Sequence, residues 1–311
     1  MRIGIIGPGS IADNHLAPAI KAAGLTLHSV LSRDRARAEA FAAKHGASVA
    51  HDRLDQMLAD PSLDAVVIAS PDKLHAAQAI AAARAAKHIL CEKPMATSVA
   101  DANAMVEAAR DAGVVLGVAY HLRWHLGHRA LVERLRSGAL GALHHVRVQW
   151  TYEARDASNW RAHAEVGKWW GLAGVGTHCV DLVRWIAGEE VDAAAGVIGQ
   201  PRWKAGHDEN AVVGLRFASG ATAEILTSVL FKSPRRVEIY CARGTAICDE
   251  TLGPHGGGTI TVDGATLMFA QADPYAGELA DFARAVRERG RCEVDGEEGL
   301  RNVEILTRVA G

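Results

Sequence analysis

The stretch R-I-G-I-I-G-P-G-S-I-A at Arg2–Ala12 carries a short apolar run into a glycine-rich turn and on toward a helix. Gly7, Gly9 and Ala12 fall at the spacing G-x-G-x-x-G/A. In that pattern the first glycine permits a tight turn, the second lets backbone approach a pyrophosphate, and a small third residue allows close helix–strand packing. The helix that follows offers unpaired N–H groups and the positive end of its dipole to phosphate. A lone match is weak, but a strand before it and a helix after it are the context the motif needs. Gly7, Gly9, Ser10, Ile11 and Ala12 are therefore expected to cradle a dinucleotide.

Outward from this turn, strand and helix signals alternate over the first 120 residues. Leu25–Leu31 is a β-rich run. Asp34 stands at an N-cap, and a helix runs to His45 with Gly46 just past its end. Leu54, Met57 and Leu58 mark one face of a short helix. Ala65–Ala69 is a buried-type strand, an Ala-rich helix covers about Lys73–Ala85, and His88–Cys91 is another strand. Ser98 with Asp101 opens a helix that Gly113 closes, and Val114–Ala119 is the sixth strand. Continuous apolar strands bracketed by helices imply a parallel sheet covered on both faces, the doubly wound α/β class. Pro18, inside the first helical pattern, predicts a kink or a break there.

After residue 120 the pattern changes. His144–Tyr152 reads as a strand, a loop rich in Trp and Gly follows, and a helix spans about Thr177–Ala187. Then come β-rich runs at Asn210–Ala218, Ala221–Leu230, Arg236–Ala242, Thr245–Asp249, Thr259–Val262 and Ala265–Phe269. Ser219-Gly220, Arg243-Gly244 and Asp263-Gly264 are two-residue breaks, which predict hairpins and a mostly antiparallel sheet. Helices at about Ala276–Arg289 and Glu297–Val309 close the chain. The expected organisation is a Rossmann domain over 1–120 and an α+β domain over 121–311. Alternating apolar residues in Val212–Phe217 and Thr222–Leu226 bury one sheet face. If the other is apolar in patches it pairs with a second subunit, giving a homodimer or homotetramer; a solvated face is the alternative.

Bulk properties narrow the class. The chain has 311 residues, enough for two domains, and a formal charge of −2. No global field draws it to nucleic acid or to an anionic membrane. Its five cysteines are scattered with no C-x-x-C pair, which argues against a disulfide framework or a zinc site and fits a reducing compartment. The N-terminus enters a strand at once and no uncharged apolar run reaches the roughly 20 residues of a membrane helix. A cytoplasmic protein is expected.

The end of the second strand chooses the cofactor. An acidic side chain there binds the ribose 2′-OH of NAD, whereas Arg favours the 2′-phosphate of NADP. The chain reads L-S-R-D at Leu31–Asp34. Ser32 and Arg33 can meet a phosphate with a hydroxyl and a guanidinium. Asp34 dissents, but has a competing role as N-cap. NADP is favoured, with NAD as the alternative.

The stretches A-S-P-D-K-L-H at Ala69–His75 and C-E-K-P-M-A at Cys91–Ala96, joined to the glycine turn, make the chain resemble the glucose-fructose oxidoreductase / inositol dehydrogenase / rhizopine-catabolism (Gfo/Idh/MocA) family. The resemblance runs to the closing G-L-R-N-V-E-I-L helix. It implies that Ser70, Pro71, Leu74 and His75 line the cofactor site, and that Glu92, Lys93 and Pro94 lie by the nicotinamide ribose. Trp160-Arg161 resembles the family's W-R segment, which also reaches the nicotinamide.

Chemistry agrees with that reading. Lys93 falls just past the C-terminal end of a strand, where doubly wound sheets place ligands. Reducing a ketone by hydride needs a proton donor or a cation at the carbonyl oxygen, and a lysine can be either. G-V-G-T-H-C-V-D-L at Gly174–Leu182 resembles the family segment with an Asp four residues before a His. His178 matches the His, the acid/base near the substrate, and its ordinary pKa of about 6.5 suits the role. The Asp position holds Gly174, which departs from the pattern. Asp181 matches another family position and is read as structural.

Thr177, which looks like an N-cap, and His178 are substrate candidates. So are Trp160 and, more weakly, His121, after the sixth strand. Trp160, Trp169 and Trp170 with Arg161, His163 and Lys168 make a reasonable wall for a sugar ring, although core packing accounts for at least one Trp. His121 and His125 lack a carboxylate or cysteine to complete a metal set, so no metal is expected. The reading is an NAD(P)-dependent dehydrogenase or reductase of a sugar, polyol or related cyclic alcohol or ketone, with Lys93 and His178 catalytic. Two alternatives stand beside it: a non-catalytic nucleotide-binding regulator, which Gly174 favours, and lyase or glycosidase chemistry through transient oxidation.

Overall fold

The computed structural model describes residues 1–163, 167–199, 201–203 and 207–310. The chain separates into two compact units, Met1–Tyr120 with Tyr275–Val303, and His121–Pro274 with Glu304–Gly311. The sequence reading ran the second domain unbroken from 121 to 311. The two closing helices divide differently, because Leu279, Phe282 and Ala285 pack into the same core as Ile3, Leu90 and Ala119.

The first unit is a six-stranded sheet in the order β3-β2-β1-β4-β5-β6, with every pairing parallel. Its strands are β1 (Arg2–Ile6), β2 (Thr26–Leu31), β3 (Val49–His51), β4 (Ala65–Ile68), β5 (His88–Glu92) and β6 (Leu116–Ala119). β1 and β4 lie at its centre and bury almost every side chain, which is why both read as unbroken apolar runs. β3 has three half-buried residues and no apolar run, so the sequence does not show it. Helices α1 (Ala17–Ala22), α2 (Arg35–His45), α3 (Leu54–Leu58), α4 (His75–Arg84) and α5 (Val99–Asp111) connect the strands. Asp34 caps α2 by accepting from the Arg37 N–H, and Ser98 caps α5 by accepting from the Asp101 N–H. The edge of β6 is covered where Val118 N–H donates to Val294 O at 2.9 Å.

Pro18 does not break the first helix, but the hydrogen-bond ladder ahead of it is irregular. The helix starts at Ser10, widens into a π turn over Ala12–Leu16, and continues as α1. Pro18 has no N–H to donate, and the change of ladder from the π turn to α1 falls just before it.

The second unit holds an eight-stranded sheet in the order β14-β13-β12-β11-β7-β10-β9-β8. The strands are β7 (Leu143–Thr151), β8 (Val191–Ile198), β9 (Asn210–Phe217), β10 (Thr222–Ser228), β11 (Arg236–Cys241), β12 (Gly244–Asp249), β13 (Thr259–Val262) and β14 (Ala265–Thr266). All three expected hairpins form, and among the described residues β7 with β10 is the one parallel pair of this second sheet. On β9, Ala211, Val213, Leu215 and Phe217 point inward. Helix α7 (Thr177–Ala187), buried from Thr177 to Ile186, packs on β7 and β10. Helix α6 (Leu126–Arg136) and edge strand β8 go beyond the sequence reading. Helices α8 (Pro274–Glu288) and α9 (Gly296–Ala310) close the chain.

Candidate functional site

In the first unit the expected cofactor residues collect at the C-terminal ends of neighbouring strands. Gly7 follows β1 with φ +95°, and a Cβ there would lie 2.8 Å from Ala69 O and 2.9 Å from Ser70 Cα. Only glycine fits, because both obstacles are backbone. Gly7 N–H donates to Leu31 O at 3.0 Å, tying the turn to β2. At Gly9 nothing stands within 4 Å of a built Cβ. That bare, open backbone is the approach a pyrophosphate needs, so the residues fit a bound dinucleotide. Ser10 and Ile11 open the helix, and Ala12 is fully buried against the sheet.

Past β2, the Ser32 hydroxyl accepts from the Asp34 N–H at 3.2 Å. The Arg37 guanidinium donates to Pro8 O at 2.9 Å, bringing a cation to the glycine turn. Past β4, the Ser70 hydroxyl donates to Gln78 Oε1 at 2.6 Å, and Pro71 leads into a 3₁₀ turn ending at half-exposed Leu74. His75 is fully buried; its Nδ1 lies 3.0 Å from Pro94 O and its Nε2 2.8 Å from Ser70 O. It ties the turn after β4 to the turn after β5. There Glu92 and Lys93 are both buried, and Lys93 N–H donates to Glu92 Oε2 at 3.2 Å.

In the second unit His178 sits on the first turn of α7. Its ring stacks on Trp150 (centroids 5.5 Å apart) and meets His121 edge-on at 4.8 Å. These contacts fix the imidazole plane. Thr177 is not an N-cap: a π turn over Leu172–Gly176 runs into α7, so Thr177 already has helical neighbours and is wholly buried. Asp208 anchors this π turn, accepting from Trp170 N–H at 2.8 Å and from Leu172 N–H. Burial pushes its carboxyl up to about 7 against those donors. No motif in the sequence points to Asp208, which is 38 residues from Trp170 along the chain.

Asp181 is structural, as read. It takes a bidentate grip from Arg123, at 2.7 and 2.9 Å, with both side chains buried. Three histidines after β6 staple one loop: His121 Nε2 to Gly253 O at 3.2 Å, His125 Nε2 to Gly257 O at 2.9 Å, and His128 Nε2 to Thr251 Oγ1 at 2.9 Å. Trp169 and Trp170 are core. Arg161 lies over the Trp160 ring at 4.1 Å, in a short turn capped by Asn159. Trp160 and Arg161 therefore sit with the second unit's residues.

A doubly wound nucleotide unit with a buried lysine at a strand end, followed by a sheet unit carrying an oriented histidine, defines a two-domain nicotinamide oxidoreductase. Residues 1–120 match the model of an oxidoreductase family with an NAD-binding Rossmann fold, and residues 128–247 match a GFO/IDH/MocA C-terminal domain. The chain is 31% identical over 306 residues to 1,5-anhydro-D-fructose reductase of Ensifer adhaerens, covering 96% of this chain and 92% of that one. It is 33% identical over 310 residues to D-xylose 1-dehydrogenase (NADP(+)) 2 of Haloferax volcanii, covering 96% and 93%. The fold superposes on aldose-aldose oxidoreductase from Caulobacter crescentus with a TM-score of 0.92 at 23% identity, over 99% of this chain and 95% of that one. The protein belongs to the GFO/IDH/MocA oxidoreductase family.

Proposed function

We propose that this protein is an NAD(P)-dependent dehydrogenase or reductase acting on a sugar, polyol or related cyclic alcohol or ketone. The observation that carries the reading is the buried Lys93 turn, tied through His75 to the turn after β4, beside the glycine turn of the same sheet. When bound, the nicotinamide supplies or accepts hydride. Lys93 polarises the oxygen and stabilises the alkoxide, and His178, its plane set by Trp150 and His121, moves the one proton that the oxygen gains or loses. Trp160 and Arg161 add to the substrate wall, whereas Thr177, wholly buried, does not.

The test is a screen of sugars and polyols, followed at the nicotinamide absorbance. Lys93→Ala is expected to lose about 10²–10⁴-fold in kcat while NAD(P)H still binds. Unchanged turnover ends the assignment.

NADP is the favoured cofactor. Asp34 spends its carboxylate on the Arg37 N–H at 3.2 Å, leaving Ser32 and exposed Arg33 to face a 2′-phosphate, with Arg37 nearby. Arg33→Ala should lower the NADPH-to-NADH ratio of kcat/KM about tenfold. An unchanged ratio removes the preference.

The outer face of the second sheet exposes Val197 and Val212 among the ion pairs Arg147–Glu224 and Arg216–Asp192, and it is the face for a homodimer or homotetramer. Light scattering that returns a monomer rejects this. Five free cysteines fit the cytoplasm, and among the described residues no helix is long and apolar enough to cross a membrane.

A further inference from the structure

The missing family carboxylate leaves a question the second unit answers. Gly174 lies four residues before His178, in the π turn that runs into α7. β7 and the residue after it run past this turn with aromatic side chains at i and i+2, about 6.6 Å apart on one side of a strand. Trp150 stacks on His178. One strand step on, the Tyr152 hydroxyl lies 3.3 Å from where a Cβ at Gly174 would stand, and Cε1 lies 3.5 Å from it. A hydrogen bond from Tyr152 N–H to Ser228 O at 2.9 Å fixes that register.

The other carboxylates around this turn are engaged. Asp181 is gripped by Arg123, and both oxygens of Asp208 accept backbone N–H groups of the π turn. Neither replaces a carboxylate at position 174. We propose that Tyr152 takes its place as a specificity-determining residue, and that its hydroxyl donates to an acceptor oxygen of the substrate, so that the preferred substrate is an oxidised sugar: a keto sugar or a sugar acid.

The chemistry is a reversal of hydrogen-bond polarity. An ionised carboxylate only accepts, and so selects a substrate hydroxyl; a phenol donates. Burial raises the Tyr152 pKa, against the Arg161 charge and a hydrogen bond from the Trp170 side chain, so the hydroxyl keeps its proton at neutral pH and, accepting from Trp170, still has that proton to donate. The inference rests on the proposed sugar chemistry of this site.

Its test separates the two readings. With NADPH-loaded full-length protein and 1,5-anhydro-D-fructose as probe, Tyr152→Phe is expected to raise KM about 3–10-fold, the worth of one neutral hydrogen bond, with kcat and melting temperature little changed. The double variant Tyr152→Phe/Gly174→Asp, which makes room for the carboxylate, is expected to shift preference toward myo-inositol oxidation at least roughly tenfold. A KM within twofold of the parent overturns the proposal.

If no sugar is turned over, the sugar reading fails and binding decides Tyr152 alone. Tryptophan fluorescence titration should then show D-glucuronate binding more tightly than D-glucose, with the preference lost in Tyr152→Phe. Equal binding of both sugars by the parent, or a preference the variant keeps, sinks it.

Discussion

The glycine turn of the first unit and the histidine-bearing turn of the second are built by different means. In the first, the backbone itself makes the site. Gly7 turns where only glycine can, Gly9 leaves open space where a side chain would stand, and both lie within a few residues of β1. In the second, side chains from distant parts of the chain make it. Arg123 reaches Asp181 across 58 residues, His128 reaches Thr251 across 123, and Tyr152 meets Gly174. A backbone site is local and leaves a motif. A side-chain site is assembled by packing and leaves only isolated polar residues.

Substitutions can break this contrast. The largest effect is expected at Gly7. Gly7→Val should cost about 5 kcal/mol, adding backbone strain to overpacking, and abolish NAD(P)H binding. Gly9→Ala should leave the melting temperature unmoved, since its Cβ meets nothing, yet weaken NAD(P)H about tenfold. Thermal melts with cofactor titration check both. If Gly9→Ala destabilises as Gly7→Val does, the division of labour between the two glycines is wrong.

Next in size is Arg123→Ala, which strands Asp181 as a buried charge. A loss of about 3–5 kcal/mol in urea unfolding is expected, and most of it should return when Arg123→Met is combined with Asp181→Leu. Failure of the apolar pair to recover stability would show that the second unit needs the ion pair for its shape.

A smaller effect follows from His128, whose pKa burial lowers from 6.5 to about 3. The folded state keeps the ring neutral while the unfolded chain protonates it. Its contribution is therefore complete above pH 6.5 and is lost as pH falls toward 3. Between pH 6.5 and 5 the loss is about 2 kcal/mol relative to His128→Gln. Parallel stability curves for parent and variant over that window contradict the assignment.

The smallest is the α5 cap. Ser98→Ala removes one accepted N–H and should cost about 1 kcal/mol, with cofactor affinity untouched.

Legibility follows the same divide. Strands β1, β2, β4, β5 and β6 were readable as apolar runs, and the α2 and α5 caps as Asp34 and Ser98. β3 was not, because three half-buried residues carry no periodicity. Family resemblance joined to chemistry nominates Lys93 and His178, whereas Asp208 and Tyr152 carry no signal. Each matters only through the neighbour it meets. Thr177 was misread because a Thr before a helical run signals a cap, and nothing local announces that a π turn precedes it.

By itself the sequence determined the doubly wound sheet, the glycine turn, the antiparallel hairpins and the lysine at a strand end. These depend on short-range patterns of burial, turn geometry and backbone reach. Tertiary structure alone decided which carboxylates are engaged, which histidines staple a loop, that the closing helices divide between the units, and that the Tyr152 hydroxyl comes to lie beside Gly174. Those outcomes depend on which side chains packing brings together, and no local pattern records that.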